Sequence, residues 1–158
     1  INDIDSELSM VLEALSNHPQ VYAVVGESML GERVASEFER VRILRDYPNS
    51  RYFEDFDFAV MAGGYNSFHE AIQASMPTIC LPNMKTGRDD QLARVIVAEE
   101  AGCMVVIRER NRKIIQAAID RIIESEVREM MKNNFQLLRR DNGATQIADW
   151  IASQANLN

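Results

Sequence analysis

The stretch from Ala62 to Ala71, AGGYNSFHEA, places two glycines, an amide, a hydroxyl and a carboxylate between the apolar runs FDFAVM and PTICLP. Gly63 and Gly64 leave out side chains where the chain must turn, so backbone N–H groups can come close to a ligand, and that favours an anion. Asn66 and Ser67 then stand at the start of the following helix, where unpaired N–H groups and the positive end of the helix dipole attract phosphate. Glu70 falls three residues after Ser67 on the same side of that helix. A carboxylate repels phosphate, but it accepts two hydrogen bonds from a vicinal diol. Phosphate beside ribose is therefore one coherent reading. The other is structural, because Ser67 and Glu70 also match the capping box S-x-x-E. These residues alone leave both open. The stretch is neither a Walker loop nor GxGxxG.

A second polar group follows. Pro77 and Pro82 bracket the next apolar run, and the loop beyond carries Asp89, Asp90 and Gln91 at the entry to another helix. Adjacent carboxylates point in different directions, and no histidine or third acid is spaced to complete a metal site, so no metal is expected. His69 has no nucleophile at a diagnostic spacing and reads as a surface or packing histidine. His18, beside Pro19, reads as a helix-end residue. Tyr47 and Phe53 flank a turn near a strand end, where packing against a nucleobase is conceivable.

The elements that position these groups alternate. A first helix carries Leu8, Val11, Leu12 and Leu15 at helical spacing and ends at HPQ, residues 18–20. VYAVV at 21–25 is a β-branched run closed by Gly26 and fits a strand buried on both faces. RVASEFE is a weak helix candidate, VRIL at 41–44 a short strand and DYPNS a turn. FDFAVMA is a strand, a helix runs from about Ser67 to Ala74, and PTICLP is the next strand. A helix from about Asp90 to Ala101 is closed by Gly102, and CMVVI is the last strand. Ile114, Ile115, Ala118, Ile119, Ile122 and Ile123 form a core stripe, continued by Val127, Met130, Met131, Leu137 and Leu138 in a second helical segment. DNG at 141–143 precedes a final helix through Trp150. Apolar strands alternating with helices predict a mostly parallel sheet covered on both faces, with ligands beyond the carboxyl ends of the strands.

The 158 residues have the length of one domain. A net charge of −7 opposes nucleic acid and anionic lipid as partners. No apolar run reaches the ~18 to 20 residues needed for a membrane span. Cys80 and Cys103 lie in apolar runs without a CxxC neighbour, as buried free thiols of a reducing, cytoplasmic compartment do.

Taken together, GGYNSFHEA, MPTICLP, DDQ and AEEAG strongly resemble the carboxyl-terminal, donor-binding half of GT-B glycosyltransferases. The UDP-sugar users among them are most similar, including the enzyme that adds N-acetylglucosamine to lipid II precursors and the plant UDP-glucosyltransferases. The resemblance covers about Val21 to Ile107 and, more loosely, the helices to Trp150. It implies a Rossmann-like three-layer α/β domain. It also implies a donor diphosphate on Gly63, Gly64, Asn66 and Ser67, ribose on Glu70, and sugar hydroxyls on Asp90 and Gln91, with no metal or other cofactor. Plant members carry a histidine where Ala62 stands and a glycine where Ser75 stands, and their loop between Pro82 and Gln91 is shorter.

In that family the acceptor site and usually the catalytic base belong to the other domain. The expectation is accordingly a fragment that binds a UDP-sugar but transfers poorly alone, its catalytic residues unassigned. Upstream, in the same polypeptide or on a partner subunit, an acceptor-binding domain and a strand with a glycine-containing loop are expected. A nucleotide-sugar hydrolase or epimerase, or a non-catalytic binding domain acting with a partner chain, are the alternatives.

Overall fold

The computed structural model describes residues 3–27, 38–85, 89–140 and 143–155. Helix α1 (Asp3–Ser16) leads to strands β1 (Ala23–Gly26) and β2 (Val41–Leu44), then to a 3-10 segment, Asn49–Asp55. Strand β3 (Ala59–Met61), helix α2 (Tyr65–Ala74), strand β4 (Thr78–Cys80), helix α3 (Gln91–Glu100) and strand β5 (Met104–Val106) alternate next. Helices α4 (Arg112–Ile122), α5 (Ser125–Asn134) and α6 (Ala144–Ala155) close the chain, with a 3-10 turn, Phe135–Leu137, after α5. Most of RVASEFE, part of the NMKTGRD loop, Ile1, Asn2 and the start of DNG lie outside the described residues.

Every strand pairing is parallel, as continuous apolar runs between helices require. The strands form two ladders where one sheet was expected: β1 pairs with β2, and β3–β4–β5 form a second sheet. No ladder joins β1 to β3. Exposure follows from that division. The central strand β4 is wholly buried, each residue of β3 is half-buried, and β1 alternates between half-buried and exposed. VYAVV is thus covered on one face only, with Tyr22 and Val24 in solvent.

The two faces of β4 divide the core. Ile79 and Leu81 join Val11, Leu12 and Leu15 of α1 and Ile115, Ile119 and Ile122 of α4. Cys80 lies on the opposite side with Phe68, Ala71 and Ile72 of α2, Val95 and Ala98 of α3, and Phe135. That makes three layers, helix, sheet, helix. Each fully buried Leu, Ile or Phe contributes about 1.5 to 3 kcal/mol of transfer free energy. The predicted stripe holds only in part: Met131 is buried and Val127 and Leu138 are half-buried, whereas Ile114, Met130 and Leu137 are exposed, and Phe135, outside the stripe, is buried instead. The 3-10 turn after Asn134 changes the angle per residue and rotates Leu137 off the buried face. Both cysteines are buried and free. Burial pushes the Cys80 thiol up to about 12, helped by the Glu99 carboxylate.

Candidate functional site

Strand β3 ends in the turn Ala62–Gly64, and α2 begins at once with Tyr65. Gly63 adopts φ +85°, and a Cβ there would come within 2.7 Å of Val95 Cγ1 on α3. Its lack of a side chain therefore serves both the turn and the contact of the two mouths. Gly64 differs: a Cβ on it would meet nothing within 4 Å. Gly64 is the N-cap of α2, and no side chain caps the helix.

The helix begins two residues before the predicted start, which decides the capping question. Ser67 occupies the third helical position rather than the N-cap, so Ser67 and Glu70 do not form a capping box. The first intrahelical bond runs from the Phe68 N–H to the Gly64 carbonyl, 2.9 Å. The N–H groups of Tyr65, Asn66 and Ser67 precede it, among the donors that a helix cannot satisfy within itself. Asn66 and Ser67 are exposed, and Glu70 is half-buried one turn further on. Asn66 and Glu70 stand four residues apart, on one face. None of the three side chains has a hydrogen-bond partner among the described residues.

The mouth of α3 is built in the opposite way. The Asp90 carboxylate caps the helix by accepting from the Ala93 N–H, 2.9 Å. The Gln91 side-chain oxygen accepts from the Asn83 N–H, also 2.9 Å, and so ties the loop after β4 to the helix. Asp89 receives the Arg94 guanidinium at 2.5 Å. Donation by Arg94 holds the Asp89 carboxyl below its ordinary value, with Gln91 adding to the effect, and the Arg94 guanidinium is raised in turn.

Arg94 is the residue that sequence reasoning missed. Its other terminal nitrogen donates to the Gly63 carbonyl, 3.1 Å, and its guanidinium lies 5.4 Å from the Tyr65 ring centroid. One side chain therefore clamps the glycine turn, the first residue of α2 and the acidic loop. An acid-to-arginine spacing of four from Asp90 was visible, but the partner it finds is Asp89. The sequence-predicted residues are thus brought together at neighbouring strand ends. The α2 group has no partner among the described residues, while Asp90 and Gln91 are engaged in holding their own loop.

His69 packs its ring against Tyr65 and Phe68, with centroids at 4.4 and 5.3 Å, which is the packing role expected for it. Phe53 packs against the α2–α3 side of the core and Tyr47 is exposed. His18 follows α1 and bonds to Asp120 at 2.8 Å. Among the described residues no three His, Cys, Asp or Glu side chains gather as a metal site requires. No described helix is long and apolar enough to cross a membrane.

No protein-family model and no curated protein matches the chain. Solved structures do. The chain is similar to the spinosyn rhamnosyltransferase SpnG, with TM-score 0.67 and 15% identity over 83% of this chain and 37% of that one. It is similar to the glycotransferase of kitacinnamycin, with TM-score 0.71 and 19% identity over 94% of this chain and 39% of that one. It is also similar to the glycosyltransferase VinC, solved in complex with dTDP, with TM-score 0.58 and 17% identity over 82% and 33% of the two chains. At such identities what is shared is the fold: a Rossmann-like α/β unit of GT-B glycosyltransferases. The chain spans about two-fifths or less of the length of these structures.

Proposed function

We propose that the chain is the nucleotide-sugar-binding, carboxyl-terminal half of a GT-B glycosyltransferase, with a UDP-sugar as donor. The observation that carries this reading is the mouth of α2. A helix N-terminus capped only by Gly64 stands at a strand's carboxyl end, with three side chains that have no hydrogen-bond partner among the described residues. Its N–H groups and those of the glycine turn would receive the diphosphate, assisted by Asn66 and Ser67. Glu70, one turn along, would accept from the ribose hydroxyls. That role favours UDP over dTDP, which offers Glu70 a single hydroxyl where UDP offers two.

For the sugar, Asp90 retains one carboxylate oxygen beyond its capping bond, while the Gln91 NH₂ is shared with the Asp89 carboxylate. They would shape the choice among sugars more than the affinity for nucleotide. Hexosyl or N-acetylhexosaminyl transfer is the reaction class. The helix N–H groups would stabilise charge on the departing diphosphate without a metal, while the base and acceptor site come from an upstream domain or a partner subunit. The chain alone would bind donor without transferring. Two buried free thiols suit a reducing, cytoplasmic setting.

Calorimetric titration with UDP and dTDP tests the assignment. Glu70→Ala is expected to weaken UDP by about 1 to 3 kcal/mol, as loss of a partner by buried polar groups does, with a smaller loss for dTDP and little change in melting temperature. Equal UDP affinity in the two proteins removes Glu70 from the site.

A further inference from the structure

The geometry points to Arg110 as a positioning residue for the donor sugar: through a single peptide group, its guanidinium sets the direction of the Gln91 side chain at the mouth of α3. That role rests on the reading of Gln91 as a sugar contact. Arg110 stands in the loop between β5 and α4. Its guanidinium is partly buried, and Nε donates to Glu7 Oε1 of α1 at 2.8 Å. Nη1 donates to the Ile107 carbonyl at 3.1 Å, and Nη2 to the carbonyls of Leu81 and Pro82 at 3.0 and 2.6 Å. Leu81, Pro82 and Ile107 lie just past the ends of β4 and β5, and their carbonyls accept no backbone N–H among the described residues. A planar fork of donors can meet these carbonyls together with a carboxylate, which a lysine ammonium cannot.

Pro82 and Asn83 share one peptide group. Its carbonyl accepts from Arg110, and its N–H, that of Asn83, donates to Gln91 Oε1 at 2.9 Å. The group is planar and trans, so its two polar ends point in opposite directions and turn together. A guanidinium fixed on one end therefore aims the other. Donation from the cation also polarises the peptide and strengthens the bond from its N–H to Gln91. The Gln91 carboxamide is then held at both ends, its oxygen by Asn83 and its NH₂ by Asp89. One N–H of that NH₂ remains for a sugar hydroxyl, in a direction that the chain from Arg110 determines. Glu7 carries the arrangement into the core, because it ties the guanidinium to α1, whose Val11, Leu12 and Leu15 pack with α4.

Arg110→Lys tests the proposal, because an ammonium keeps the charge beside Glu7 but lacks the fork that reaches the carbonyls together. Without nucleotide, the Asn83 amide is expected to exchange hydrogen about tenfold faster or more in the variant, while the Ala93 amide, held by Asp90, is unchanged. Calorimetric titration with UDP, UDP-glucose and UDP-N-acetylglucosamine supplies the second readout, one that a merely structural clamp would not move. Affinity for UDP should hold. The ratio of UDP-sugar to UDP affinity should shift by about fivefold, as in Gln91→Ala, and the double variant should shift it no further than Gln91→Ala alone.

An Asn83 amide equally protected in the two proteins overturns the proposal. So do additive shifts in the double variant, which would mean that Arg110 acts on the sugar without Gln91. A ratio moved by Gln91→Ala but not by Arg110→Lys removes Arg110 and leaves the sugar assignment standing. A ratio moved by neither variant defeats the sugar assignment itself, and the proposal with it.

Discussion

The mouths of α2 and α3 lie side by side and are built on opposite plans. At α3, Asp90 caps the helix, Gln91 pins the loop after β4, and Asp89 holds Arg94. Each of these polar residues has a partner within the protein. At α2 the cap is a glycine, and Asn66, Ser67 and Glu70 stand without partners among the described residues. Polar groups that stabilise a fold are satisfied by it, whereas groups kept for a ligand are left open at a cost in helix stability. Arg94 belongs to the first plan while serving the second, because it reaches from the acidic loop to the carbonyl of Gly63.

The comparison breaks most severely at Gly63. Gly63→Ala forces a left-handed φ of +85° on a Cβ 2.7 Å from Val95 Cγ1, so about 2 to 4 kcal/mol of stability should be lost in urea unfolding. The double variant with Val95→Ala should not recover that loss, since it removes the clash but opens space at a fully buried position and leaves the strained backbone.

Arg94→Ala comes next: it frees the Gly63 carbonyl and Asp89 together, so urea unfolding should show a loss of stability smaller than that of Gly63→Ala. It also carries a pH signature. Asp89 is held below its ordinary value, so the folded protein binds fewer protons there than the unfolded chain. The stabilisation is complete above the unfolded value of about 3.9 and fades as pH falls through the lower folded value. Stability curves of the wild type and Arg94→Ala should therefore converge at acid pH. Parallel curves down to the acid limit would mean that Asp89 does not contribute through Arg94. Asp90→Ala sharpens the contrast at the smaller end. It should cost about 1 kcal/mol of stability as a lost cap, with UDP affinity nearly unchanged.

Much of this was legible in the residues. The apolar runs marked the strands, and the spacing of Val11, Leu12 and Leu15 in α1 and of Ile115, Ile119 and Ile122 in α4 marked the buried faces, because periodicity records which side meets the core. Gly102 ends α3 with φ +70°, as its position implied. The true start of α2 was hidden. Ser67 is a good N-cap residue, but the turn at Gly63 lets the helix begin at Tyr65, and an uncapped start leaves no sequence signal. Asp90 as a cap and Asp89 as the partner of Arg94 depend on which way adjacent side chains point. The division of the sheet was equally hidden, since pairing between β1 and β3 is a property of neighbours distant in sequence.

The bare N-terminus of α2 is proposed to stay open for an anion, and Gly64→Asp tests that most directly. The position has free space and an extended ψ of 153°, so a carboxylate there should cap the helix, complement its dipole and raise stability by a few tenths of a kcal/mol to about 1. The same carboxylate would occupy the place of the diphosphate. Calorimetric titration of UDP into the two proteins is predicted to show binding by the wild type and none by a Gly64→Asp protein that melts at the same temperature or higher. Undiminished UDP binding by that variant would contradict the account.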